Sequence, residues 1–568
     1  MAGDVETPHA SDDVADVRVP TPWETLLCWA GPPRGYQLTR WLILRLLGFV
    51  YVFAFLGLIF QGPGLLGSHG LTPVHAFVDL VRGNGATFSD LPSIFFGGAS
   101  DTSLMVWAYV GLAIAICVTL GYANLPMLLA LWVIYGSYER VGQLWFSFGW
   151  EIQILETTLI AAFLAHPWDP RPLAARPPTT TSIVLMRWLV FRIMLGAGLI
   201  KLRGDPCWRE LTCLDWHFET QPIPNPLSPF FHYLPHAVLA GGVVFNHIVE
   251  VVAPFFVFGP RRLRLVAGCM MAGFQIVLIL SGNLAFLNWL TLVPVLACFD
   301  DDFLLRLLPG RPREWLKRRL APVPKRDGRI LRIGIPIAVV CAFIWTPLVL
   351  VLFFSAIVVA IVKKWDLPQL LVAVFAGLVI MKSGPVVENL LAKRQAMNRS
   401  FDNLSLVNTY GAFGSVGDTR HEIIIEGTMS ADPNAPDSEW KEYELPCKPG
   451  NVNRRPCVLG PYHRRLDWLI WFSAMSEQPS DPWLYHFAWK LLDGDKTVRE
   501  LVAVDPFGGQ PPRWIRMQRY VYKLQPYSAP TWWTRTLEDP KWMEPVSKDT
   551  PGFREALARF GWPSPSVK

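Results

Sequence analysis

Residues 187–222 read RWLVFRIMLGAGLIKLRGDPCWRELTCLDWHFETQP, and the fold turns on how this stretch is understood. It opens as an apolar helix that carries Arg187 and Arg192, narrows at Gly196-Ala197-Gly198, and meets a charge at Lys201. A dense polar segment follows, holding Cys207, Cys213, Asp215, His217 and Glu219. Small residues at that spacing let a second helix backbone come close. Ionisable groups at membrane depth are costly, so they face a bundle interior and find partners there. The stretch therefore predicts a membrane helix that ends in a two-cysteine loop outside the bilayer.

Outward from it, the 568 residues are 51% hydrophobic and only 17% charged, with a mean hydropathy of +0.28. Such a chain is too apolar to be soluble and too long for one domain. The apolar residues crowd the first two thirds. This predicts an α-helical multi-pass transmembrane domain over 41–385, after a disordered cytoplasmic tail at 1–40. A soluble α+β or β-rich domain is expected over 386–568. The tail lacks the positive start and cleavage motif of a signal peptide. The 25 Trp and 34 Phe suit aromatic belts at the membrane surfaces. A net charge of +6 does not point to nucleic acid, because the cations sit in loops beside hydrophobic spans.

Helices are expected at Trp41–Phe60, Leu104–Gly121, Leu125–Tyr135, from Trp150 onward, at Ser182–Lys201, at Val243–Phe258, and on either side of Ser281-Gly282-Asn283. A long polar loop separates the first two. Ten Lys/Arg between Arg306 and Arg332 make the loop 303–332 cytoplasmic. The Arg261–Arg264 turn and the Arg171/Arg176 loop fall on the same side, so the loop 203–240 faces outward. Leu331–Val362 exceeds a single span of ~20 residues. It reads as a hairpin broken at Thr346-Pro347, returning to Lys363-Lys364. A last span from Leu367 to Ile380 then leaves the C-terminal domain outside, whereas one tilted helix would leave it in the cytoplasm. Within that domain, 408–417, 420–427 and 513–524 read as strands, and Leu466–Met475 and Trp483–Leu492 as helices.

Cys207 with Cys213, and Cys447 with Cys457, are close pairs in polar segments, which suggests two disulfides in an oxidising compartment. The competing zinc readings, Cys207, Cys213 and His217 with Asp215, or Cys447, Cys457 and His463, crowd their ligands, so no metal is expected. Glu151, Glu156, Arg192 and Glu250 are expected to form structural ion pairs, for example Arg192 with Glu156. With His247 they would otherwise form a polar relay or a lipid-headgroup pocket. Lys201 is either a desolvated base or a lysine snorkelling to the interface beside Arg203. Asn398-Arg399-Ser400 and Asn403-Leu404-Ser405 are glycosylation sequons that matter only in a secretory compartment. With no Gly-x-Ser-x-Gly elbow, the chain is not expected to be a lipase itself. With no internal repeat it is not expected to be a transporter.

Six long segments together resemble the lipase maturation factor family. They are WFSFGWEIQILET (145–157), residues 187–226, NHIVEVVAPFF (246–256), SGNLAFLNWLTLVPVLACFDD (281–301), NTYGAFGS (408–415) and CKPGNVNRRPCVLGPYHRRLDWLIWF (447–472). The resemblance implies a multi-pass endoplasmic reticulum protein that helps secreted lipases of the lipoprotein lipase type become folded, homodimeric and active. It also implies that the loop 203–240 and the C-terminal domain engage the client. On that reading Trp208, Trp216, Phe218, Trp468, Trp471 and Phe472 supply the contact surface, no cofactor is needed, and the partners are a lipase and membrane lipid. A bacterial homologue would sit in the inner membrane with an unknown client. A second, weaker similarity, carried by Ala197-Gly198-Leu199-Ile200-Lys201 and then Trp208, is to the membrane domain of vitamin K-dependent gamma-carboxylase. It implies an enzyme with Lys201 as base, near His247 and Glu250, that modifies a protein or a lipid.

Overall fold

The computed structural model describes residues 35–174, 177–320 and 367–562, so the expected hairpin at Thr346-Pro347 and most of the N-terminal tail lie outside them. The main helices of the first part are α1 (Gln37–Leu66), α2 (Val74–Gly83), α3 (Asp101–Leu120), α4 (Leu125–Val141) and α5 (Gly149–Leu164). They continue with α6 (Thr180–Arg203), α7 (His236–Phe258), α8 (Arg261–Ser281), α9 (Leu287–Cys298) and α10 (Leu367–Leu391). Among the described residues, α1, α3, α6, α7, α8 and α10 are long and apolar enough to cross a membrane. Burial sorts them: 83% of the apolar window of α6 is buried but only 28% of that of α3. α6 is thus central and α3 faces lipid. α5 is buried on nearly every face beside α6.

Several expected boundaries move, for local reasons. α1 begins at Gln37 rather than Trp41, because the Asp301 carboxylate accepts the backbone N–H of Gln37 at 2.8 Å and of Leu38 at 2.9 Å. A carboxylate there satisfies orphan donors and suits the helix dipole. α1 also runs on to Leu66, and α2 occupies part of the expected polar loop. The described part of the loop 303–332 forms two short helices, Asp301–Arg306 and Gly310–Arg319. The loop 203–240 is likewise mostly helical, at Pro206–Arg209, Cys213–Thr220 and Ser228–His232, and α7 already starts at His236. α10 continues through Pro385 to Leu391, beyond the expected end at Ile380.

At the Asp301 end of the bundle Arg261 reaches Asp300 at 2.7 Å, and the basic helix Gly310–Arg319 follows from there. α10 runs alongside α6 in the same direction: Trp188 donates to the Ser383 hydroxyl at 3.0 Å, and Gln395 donates to the Gly196 carbonyl at 3.0 Å. The chain therefore leaves α10 at the Arg203 end of α6. The C-terminal domain is built against that same end, together with the segment 203–235. The basic segments lie at the other end.

The C-terminal domain has an antiparallel sheet of order β2-β1-β3-β4, with β1 Arg420–Thr428, β2 Lys441–Tyr443, β3 Trp514–Leu524 and β4 Trp533–Val546. Helices α11 (Arg465–Ala474) and α12 (Pro482–Asp493) belong to the same domain. Residues 408–417, expected as a strand, form an irregular loop with a single bridge, Ser400 to Asn408. Its polar backbone groups pair with the bundle instead. β4 is not legible in the sequence, because WTRTLEDPKWMEPV carries charges and two prolines; an edge position tolerates both. The two parts share one apolar core. Trp145 of the bundle meets Trp483 of α12 at 5.4 Å between ring centroids, and Trp150 of α5 meets Trp468 of α11 at 5.1 Å.

This arrangement predicts which sites share a side of the membrane. A membrane-impermeant maleimide added to one face of sealed vesicles should label Val458→Cys and Tyr233→Cys together, and label Trp315→Cys only from the opposite face. Labelling of Val458→Cys and Trp315→Cys from one face would refute the arrangement.

Candidate functional site

Two buried carboxylates on α5 organise the junction between the parts. Glu156 is paired with Arg192 of α6, with both side chains fully enclosed. Its carboxylate also accepts from the Asn408 amide at 3.1 Å and from the Tyr410 hydroxyl at 2.7 Å. Arg192 in turn donates to the Asn408 carbonyl at 2.8 Å. One turn and a half earlier on α5, Glu151 accepts from Arg465 of α11 at 2.8 Å, from the Trp150 indole at 3.1 Å, and from the Tyr135 hydroxyl. Each ion of these pairs is thereby hydrogen-bonded as well as neutralised, which is what burial of charge requires.

Lys201 and Glu250 form the second node. The Lys201 ammonium lies 2.7 Å from each Glu250 oxygen and 3.0 Å from the Asn246 carbonyl oxygen, so its three protons have three acceptors. A π-turn over Ile248–Val252 holds the Glu250 position on α7; such bulges accompany functional or irregular sites. Gly198 makes the approach of α6 and α7 possible, since a Cβ there would stand 2.9 Å from the Glu250 Cβ. At Gly196 a Cβ would stand 2.3 Å from the Tyr410 carbonyl oxygen, so the loop 408–416 needs that glycine too. Trp208 covers the ammonium at 5.1 Å and donates its indole N–H to the Phe413 carbonyl at 2.8 Å. His247 donates from Nε2 to the Trp208 carbonyl at 2.9 Å.

The outer layer closes over this node. Cys207 and Cys213 form a disulfide with Cα atoms 4.8 Å apart, which takes up both thiols of the zinc reading. Cys447 and Cys457 form another, 5.6 Å apart, and Asn283 of the bundle accepts from Leu459 at 2.9 Å beside it. His217 packs edge-on against Phe413. Burial, and then the nearby Lys201 charge, push its pKa down to about 4. Arg420 of β1 donates to the carbonyl oxygens of Glu219 at 2.7 Å and Pro222 at 3.0 Å, and pairs with Glu422 at 2.6 Å. The Leu524 N–H of β3 donates to the Glu219 carboxylate at 2.7 Å.

The expected contact aromatics divide sharply. Trp208 is 2% exposed, Phe218 6% and Trp468 4%, so these three pack inside rather than present a surface. Trp216 and Trp471 are half-buried, and Phe472 is 43% exposed. Arg465, Asn408, Tyr410, Asn246 and Arg420 are site residues that reading the sequence did not single out. The available signal was polar residues embedded in aromatic or Gly-rich runs, as in HRRLDWLIWF and NTYGAFGS.

Residues 38–306 match the family model described as the lipase maturation factor transmembrane domain, and residues 406–542 match the lipase maturation factor C-terminal domain. Lipase maturation factor 1 of Bos taurus is 42% identical over 551 residues, covering 93% of this chain and 92% of the relative. The Homo sapiens counterpart is 39% identical over 561 residues, covering 93% and 91%. Lipase maturation factor 2 of Mus musculus is 29% identical over 607 residues, covering 92% and 84%. No solved structure matches the chain. The carboxylase-like reading finds no support in these matches, and Lys201 is held by Glu250 and Asn246.

Lys201→Met should leave Glu250 buried and unpaired and lower stability by about 3–5 kcal/mol, while Lys201→Met with Glu250→Leu recovers most of it. Thermal unfolding in detergent compares the two. A stable Lys201→Met protein would contradict the structural role. His217 adds a pH dependence. The unfolded chain binds a proton near 6.5 and the folded chain only near 4, so this contribution is complete above 6.5 and is lost as pH falls toward 4. The difference amounts to roughly 3 kcal/mol, and His217→Phe should flatten unfolding curves in that window.

Proposed function

This chain belongs to the lipase maturation factor family, and on that footing we propose that it is a membrane-anchored factor that brings a secreted lipase to its folded, active, assembled form. The observation that carries the reading is collinear similarity along both parts of the chain, with 42% identity to a lipase maturation factor over 93% of its length. The client class is a secreted lipase of the lipoprotein lipase type. The working membrane is the endoplasmic reticulum in a eukaryote or the inner membrane in a bacterium.

The basic segments at one end of the bundle support a cytoplasmic placement for that end. The two disulfides at the other support an oxidising, exoplasmic one. The C-terminal domain and the segment 203–235 then form one exoplasmic face. Its ion pairs and shared core support a rigid surface that binds an immature client more tightly than the finished enzyme; differential affinity alone shifts the client's equilibrium. Phe472 and Met475, 43% and 51% exposed near the end of α11, are among the apolar side chains this face exposes, with half-buried Trp471 beside Phe472. Such contacts require no chemistry from the factor.

Co-expression with a secreted lipase in cells lacking their own factor tests this. Lipase activity in the medium should rise several-fold at unchanged lipase synthesis, and Phe472→Asp with Met475→Asp should reduce it at unchanged abundance of the factor. Unchanged lipase activity with and without the chain would reject the reading.

A further inference from the structure

A cleft of about 160 Å³ opens where α1 and α3 meet at the end that carries the C-terminal domain. Its depth is apolar, formed by Leu58, Leu66, Leu104 and Ala108, and its rim is polar, formed by His69, Asp101 and Thr497. Thr497 belongs to the short helix Lys496–Arg499 of the C-terminal domain, so the cleft lies between membrane helices and a domain outside them. Sequence explains the opening. α1 ends in Gln61-Gly62-Pro63-Gly64, where Pro63 stands inside the helix and the glycines present no side chain. A Cβ added at Gly62 would meet no atom within 4 Å.

We propose that this cleft binds one membrane glycerophospholipid with an ammonium headgroup, its chain in the apolar depth and its headgroup at Asp101. Three features select that occupant. The depth is mostly apolar, and the Tyr138 hydroxyl that lines it already donates to the Leu104 carbonyl, so water finds few partners there. The flanking surface faces lipid, with Phe60 of α1 67% exposed and Val106 of α3 51% exposed, so acyl chains are the apolar molecules at hand. The rim carries an exposed carboxylate at the end of a membrane helix; Asp101 accepts from the Ser68 hydroxyl at 2.6 Å and its backbone N–H at 2.7 Å, which orients it there. An ammonium beside a carboxylate is complementary, and a bound lipid would brace α1 and α3 against the C-terminal domain.

The full-length protein in phosphatidylglycerol nanodiscs, whose bulk lipid carries no ammonium, doped with phosphatidylethanolamine carrying a diazirine at its acyl terminus, provides the test. Crosslinks should concentrate on peptides containing Leu58–Leu66 and Leu104–Ala108, relative to the lipid-facing residues Val266 and Ile276 of α8. Gly62→Phe should fill the cleft and reduce those crosslinks about tenfold without changing the α8 background. Unlabelled phosphatidylethanolamine should compete better than diacylglycerol on the unsubstituted protein, and Asp101→Asn should remove that difference. Equal labelling of the cleft and α8, meaning bulk lipid only, would overturn the site. Equal competition by diacylglycerol would overturn the headgroup assignment. Neither readout depends on lipase maturation, so failure here is distinct from failure of the proposed function.

Discussion

Glu151 and Glu156 sit on a helix that has no solvent-facing side, and everything around them follows from the need to neutralise them. An ionised carboxylate in such surroundings is intolerable without a cation and further donors. Arg192 is supplied by the neighbouring helix, but Arg465, Asn408 and Tyr410 come from the segment beyond the last described span. The bundle is therefore unfinished until the C-terminal domain docks. Domain and bundle fold as parts of one another, which explains why their aromatic cores merge at Trp145, Trp150, Trp468 and Trp483.

The same logic governs the outer face. Arg420 is buried, and three of its acceptors are the carbonyl oxygens of Glu219, Gln221 and Pro222, backbone groups that the turn after helix Cys213–Thr220 leaves without partners. Glu219 returns the favour by accepting from β3. With Lys201 held by Glu250 beneath Trp208, the disulfide segment is fixed from below and from above. A surface fixed in this way suits the client-binding role proposed above, because little ordering remains to be done on contact.

Rigidity also accounts for the fate of the aromatic residues. Trp208 and Trp468 are spent on the seam, one covering an ammonium and the other filling the space between Trp150 and His463. Aromatic richness in a loop is thus a poor guide to what the loop shows the outside. Phe472 is left facing outward because its helix turns its other side to the seam.

Much was legible in the linear chain. Hydropathy marked the main membrane helices, because a span needs an unbroken apolar run. Lys/Arg bias separated one end of the bundle from the other. The pairing of Arg192 with Glu156 was within reach because both belong to the apolar first part, where unlike charges have few alternatives. Cysteine spacing pointed to both disulfides. The irregular loop 408–416 escaped, since Gly and aromatic residues suggest a strand and only the Gly196 contact shows why this one is not. So did the partner of Glu151, Arg465, which lies 314 residues further along the chain. What the order of residues determined was which segments enter a membrane and which must cancel charge. Which charge meets which was decided only by the packed structure, because a buried ion selects its partner by distance in space and sequence records none.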